Sequence, residues 1–109
     1  MAGMPAKNVL LLGLTGVVVE DAQRQLSMAD VQLLVGTGMD DLRVTFAQVD
    51  IDHVIMGAGL ELETRLDIVR EIFRSSDRTT VHMKDHASGK EAFLPFVRSV
   101  LRGLGDYEP

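Results

Sequence analysis

The sequence predicts a three-layered α/β fold built on a small parallel sheet. Three observations carry that expectation. Aliphatic runs of strand length alternate with stretches of helical periodicity four times along the 109 residues. The runs lack polar alternation, as buried parallel strands require because helices cover both faces of such a sheet. Three runs end in a glycine-bracketed turn that opens a helix: Leu10-Leu11-Leu12-Gly13-Leu14-Thr15-Gly16, Leu33-Leu34-Val35-Gly36-Thr37-Gly38 and Val54-Ile55-Met56-Gly57-Ala58-Gly59. Repeated strand–glycine–helix phrases place all three turns at one edge of the sheet, where open α/β sheets bind ligands.

The elements follow in order. The first strand spans about Asn8 to Leu12, and Val18, Val19, Ala22 and Leu26 then recur at helical spacing. The second strand is Val31 to Val35, followed by a helical stripe of Met39, Leu42, Phe46 and Val49. The third is Asp52 to Met56. Leu62, Leu66, Val69 and Phe73 form the next stripe, with Glu61–Arg65, Asp67–Arg70 and Glu71–Arg74 spaced as helical ion pairs. Thr79 to Lys84 is the fourth strand. Ser88-Gly89-Lys90-Glu91 has the spacing of a capping box ahead of Phe93, Phe96, Val97, Val100, Leu101 and Leu104. Pro95 interrupts that pattern: either the helix bends there, or regular helix starts at Pro95 and Ser88 to Glu91 form a separate turn. Gly103 and Gly105 are expected to end it.

Right-handed crossovers then give a flavodoxin-like or Rossmann-like sheet of strand order 2-1-3-4. No linker or low-complexity run divides the chain, so a single domain over residues 1–109 is expected, with 1–7 and 106–109 as flexible tails. The fourth strand becomes an open edge, which proteins cover, charge or pair. His82, Lys84 and Asp85 are candidates to blunt it. Alternatively two copies pair through Thr79 to Lys84, and a homodimer is the expected state.

Composition narrows the function classes. There is no cysteine, so disulfides, thiolate metal sites and cysteine nucleophiles are excluded. No signal-peptide pattern or run of membrane-spanning length is visible, and a soluble cytoplasmic protein is expected. The net charge of −5 is uneven. Residues 1–63 carry nine acids against Lys7, Arg24 and Arg43, whereas 64–109 carry seven acids against eight bases. Nucleic-acid binding lacks its basic footprint and its stacking aromatics, with one tyrosine and no tryptophan.

No catalytic motif is complete. Counted from Gly13, the dinucleotide fingerprint meets Thr15 and Val18 where glycines belong. Acids near all three helix entries (Glu20 and Asp21, Asp40 and Asp41, Glu61 and Glu63) satisfy the positive helix ends and repel phosphate, so a neutral or cationic ligand suits the glycine edge better. Ser88-Gly89-Lys90 lacks the remainder of a P-loop. His82, Lys84, Asp85 and His86 are the richest polar cluster, with His82 and Lys84 on one strand face, but their spacing matches no zinc site. His53 starts the third strand and is expected at the other end of the sheet. No Gly-x-Ser-x-Gly elbow exists. No catalytic residue, metal or cofactor is therefore assigned.

The run Val54-Ile55-Met56-Gly57-Ala58-Gly59-Leu60-Glu61, continued by Val69-Arg70-Glu71-Ile72 and Ser76-Asp77-Arg78-Thr79-Thr80-Val81-His82-Met83, resembles the middle of a receiver domain. The resemblance implies a pseudo-receiver unable to take a phosphoryl group. Gly13 and Leu14 stand where receivers place paired acids, and Met56 and Gly57 stand at the phosphorylated aspartate. The leading expectation is a small non-catalytic regulatory or protein-interaction domain. The alternative is a small-molecule or nucleotide-binding domain that uses the edge lined by Thr15, Gly16, Thr37, Gly38, Ala58, Gly59, Asp85 and His86.

Overall fold

The computed structural model describes residues 7–26 and 30–106. The strands are β1 (Lys7–Leu12), β2 (Val31–Gly36), β3 (His53–Met56) and β4 (Thr80–Met83). The helices are α1 (Gly16–Gln25), α2 (Met39–Gln48), α3 (Leu62–Ser75) and α4 (Phe93–Asp106). All pairings are parallel and the sheet order is β2-β1-β3-β4, as the sequence predicts. Strand ends differ from expectation by one residue. Of the expected tails, Lys7 instead begins β1 and Asp106 ends α4; the remainder lies outside the described residues.

Strand β1 explains the layering. Val9 and Leu11 point to one face and Leu10 and Leu12 to the other, and all four are fully buried. Val9 and Leu11 pack with Val19, Ala22, Phe93, Val97 and Leu101, so α1 and α4 cover that face. Leu10 and Leu12 pack with Leu42, Ile68 and Ile72, so α2 and α3 cover the other.

Several local expectations are corrected. In α3 the buried residues are Arg65, Ile68 and Ile72, while Leu62, Leu66 and Phe73 are exposed. The sheet lies on a different flank from the stripe chosen by periodicity. Of the three α3 ion pairs only Asp67–Arg70 forms, at 3.0 Å. Glu71 instead reaches Arg43 of α2, at 3.5 Å, and Arg65 turns inward. The capping box is absent: the Ser88 N–H and hydroxyl donate to the Asp85 carboxylate at 2.9 and 2.8 Å. A single 3-10 turn (Lys90–Ala92) leads directly into α4. Pro95 is the third residue of α4, in the first turn, where a missing N–H breaks no helical bond. The helix continues through Gly103.

Gly36 ends β2 where helix and sheet meet most closely. A Cβ added there would lie 2.7 Å from Asp41 Cβ and 3.0 Å from Leu12 Cδ2. At Gly38 an added Cβ meets nothing within 4 Å, and φ of 175° is extended backbone open to any residue. Gly36→Ala is therefore expected to cost about 1–3 kcal/mol through overpacking, whereas Gly38→Ala stays within about 0.5 kcal/mol of the parent. Urea denaturation of both variants checks this. Equal effects would contradict the packing.

Candidate functional site

The glycine turns after β1 and β3 meet the loop after β4 at the C-terminal edge of the sheet. They enclose a cleft of about 320 Å³ lined by Gly13, Leu14, Thr15, Val18, Gly57, Ala58, Gly59, Lys84, His86, Gly89 and Phe93. That volume sits at the small end of the range for small-molecule sites. Gly57 sits close to the Phe93 ring: a Cβ there would lie 3.2 Å from it, a contact the ring would have to yield to.

Of the eight residues placed at this edge from sequence, Thr15, Ala58, Gly59 and His86 line the cleft. Thr37 and Gly38 line a separate shallow depression with Met39, Asp40 and Asp41. There Asp41 accepts from the Thr37 N–H at 2.8 Å and its hydroxyl at 3.1 Å, closing that turn on itself. Gly16 opens α1 without lining the cleft. Asp85 is exposed, and its carboxyl is held below the usual range first by the Ser88 hydroxyl and then by the Ser88 N–H.

Sequence reasoning missed Lys84. Expected to blunt an exposed edge, it is 3% exposed and borders the cleft. Its Nζ donates to the Asp85 carbonyl at 2.9 Å, and no carboxylate forms an ion pair with it among the described residues. Behind it, Arg65 Nη1 donates to the Lys84 carbonyl at 2.9 Å, and Arg65 Nε is buried without a partner. The expectation that acids occupy all three helix entries fails at α1. Asp40 and Asp41 lie in the first turn of α2 and Glu63 in that of α3, but the first turn of α1 holds none.

The polar cluster around β4 also divides differently. His82 sits beside His53, with ring centroids 6.3 Å apart, because β3 and β4 pair His53 with Thr80 and Ile55 with His82. Thr80 Oγ1 lies 2.6 Å from His53 Nδ1 and 2.9 Å from His82 Nε2. A hydroxyl has one proton, so it donates to one ring and accepts from the other. His53 Nε2 is buried without a partner. Burial lowers the pKa of both histidines; at His53 the Lys7 charge adds to the effect and Asp52 opposes it.

A larger hollow of about 550 Å³ lies at the opposite end of the sheet, between α2 and α3. Several of its polar groups serve the fold: Arg43 pairs with Glu71, the Thr79 hydroxyl donates to the Ile51 carbonyl, and Asp52 accepts from the Asn8 N–H.

The second exposed feature is the open side of β4. Thr80 N–H donates to Asp52 and Lys84 N–H to Met56. By the alternation of a strand, the N–H and C=O groups of Val81 and Met83 then face outward. At 100° per residue, Leu62, Leu66, Val69 and Phe73 share one flank of α3, opposite Glu71. Since Glu71 faces α2, the apolar flank faces the β4 edge, where Met83 is also exposed.

No family model, curated protein or solved structure matches this chain. Among the described residues no helix is long and apolar enough to cross a membrane, and no cluster of three or more metal-ligating side chains forms.

The histidines give a pH dependence. Their folded pKa values lie below the ordinary 6.5. Below about pH 6.5 the unfolded chain therefore binds protons that the folded chain refuses. Their contribution is full above that pH and falls as the pH drops toward their folded values. A His53→Asn/His82→Gln variant is expected to lose less stability between pH 7.5 and 5.5 than the parent, measured by urea denaturation. An unchanged difference would contradict the burial of these rings.

Proposed function

We propose that the chain is a small non-catalytic interaction domain of regulatory type that works as a homodimer, joined through the open edge of β4 and the adjoining flank of α3. The observation that carries this reading is the coincidence of two unpartnered features. An unpaired strand edge lies beside an exposed apolar stripe. Leu62 and Phe73 are each 54% exposed, and Leu66 and Met83 about two-fifths.

The edge has little of the usual protection against pairing. Thr80, Val81, His82 and Met83 include no proline and no formal charge, and Lys84 is turned inward. A twofold axis perpendicular to the sheet pairs β4 with its copy antiparallel. Such an axis keeps each face continuous, so paired residues must come from the same face. Setting Val81 opposite Met83 of the second copy, and His82 opposite itself, joins the outward N–H and C=O groups of both strands. One helical layer then holds both α3 flanks.

Charge complements this arrangement. The start of α3 is acidic, with Glu61 and Glu63, and its end is basic, with Arg74. Antiparallel helices across the axis set each acidic start against a basic end. Among the described residues neither Glu63 nor Arg74 has an ion-pair partner.

Size-exclusion chromatography with light scattering is expected to give twice the 12.0 kDa chain mass. Leu66→Glu/Phe73→Glu should give a folded monomer, since both side chains are exposed. Glu63→Arg should weaken the dimer several-fold, and adding Arg74→Glu should restore it. A parent protein that stays monomeric at the highest attainable concentration would overturn the reading.

A further inference from the structure

We infer that the cleft between the β1, β3 and β4 turns is a binding site for a small organic anion, with a carboxylate or phosphate head on a compact apolar body. The primary observation is Lys84. A lysine is almost never fully buried unless paired, yet this one is only 3% exposed. Its ammonium carries three donors, and the acceptor found for it is a main-chain carbonyl. A buried cation without an ion-pair partner is costly, and a ligand carboxylate or phosphate would supply that partner.

Three further features agree with an anion. First, no aspartate or glutamate lines the cleft. Asp85, next to Lys84, points its carboxylate at Ser88. Glu20 is exposed on the side of Gly16 that faces Thr37 and does not line the cleft. Second, Arg65 lies behind Lys84 with its Nε unpartnered, so two buried cations share this end of the sheet, and the Asp85 carboxylate, whose charge acts on Lys84 from outside ion-pair distance, is engaged by Ser88. Third, the start of α1 opens here. Val18 and Val19 N–H close on the Thr15 carbonyl, which leaves the N–H groups of Gly16 and Val17 at the positive end of the helix. The Thr15 hydroxyl makes no capping bond.

The remaining walls define the body of the ligand. Leu14, Val18, Ala58 and Phe93 are apolar, and Leu14 and Val18 are exposed. The volume of about 320 Å³ admits a single ring or a short branched chain and is small for a dinucleotide. Lys84 would hold the head by a charge-assisted hydrogen bond, the strong kind. Its position departs from the phosphate fingerprints considered from sequence, because the cation comes from the fourth strand rather than from a glycine loop. This site does not depend on dimerisation, since the cleft lies at the ends of the strands and the proposed interface along the side of β4.

The test is an amide chemical-shift titration of the full chain with four probes of similar body: benzoate, phenyl phosphate, benzamide and benzylamine. Benzoate or phenyl phosphate should move the signals of Thr15, Gly16, Val17, Ala58 and Gly59, and the comparison between them identifies the preferred head. Benzamide and benzylamine should bind about tenfold more weakly or not at all. Lys84→Met, which keeps the length of the buried stem, should weaken the preferred anion by about tenfold or more. Three results would each overturn the inference: no shift with either anion, equal shifts with benzamide, or undiminished binding by folded Lys84→Met. If Lys84→Met does not fold, the comparison of anionic with neutral and cationic probes on the parent chain decides alone.

Discussion

The structure depends on burying β1 from both sides. Val9, Leu10, Leu11 and Leu12 are each inaccessible to solvent, and the strand is hydrogen-bonded to β2 on one side and β3 on the other. A strand with no polar face can exist only with helices above and below. That demand places α1 and α4 on one face and α2 and α3 on the other, and it holds the glycine turns at the ends of β1 and β3 beside one another. The cleft with Lys84 is a consequence. The turns approach closely because the strands they end are adjacent and parallel.

The architecture was legible because strand burial and helix periodicity are local signals. Strand order, both helical layers and the position of the edge that carries the glycine turns follow from them. The misreading of α3 has a definite physical cause. Its sequence carries two apolar stripes, one through Leu62, Leu66 and Phe73 and one through Ile68 and Ile72, on flanks roughly a quarter-turn apart by the helical period. Periodicity identifies stripes but cannot say which one meets the sheet. A charged residue, Arg65, on the buried flank made the wrong stripe look more apolar. Arg65 is accommodated because its guanidinium finds the Lys84 carbonyl, a contact across nineteen positions.

The candidate site was partly legible for the same reason. Thr15, Ala58 and Gly59 were found from strand ends alone, together with His86. Lys84 was missed because an edge-strand lysine reads as exposed. Its inward turn goes with the Arg65 guanidinium on its carbonyl and the Asp85 carbonyl on its ammonium, contacts that no local pattern announces. The partnership of His53 and His82 depends on the register of β3 against β4, with His53 opposite Thr80. Thr37 and Gly38 line a separate depression, where Asp41 in the first turn of α2 closes their loop.

A four-stranded sheet of this order leaves one central question, namely what covers β4. The account answers with a second copy, because the outward hydrogen-bonding groups, the apolar flank of α3 and its acidic and basic ends are each self-complementary about one axis. Hydrogen–deuterium exchange across a dilution series tests this most directly. The account predicts that the amides of Val81 and Met83 exchange slowly in concentrated protein and rapidly on dilution, while those of Leu10 and Leu11 stay protected throughout. Rapid exchange at Val81 and Met83 at every concentration would contradict it.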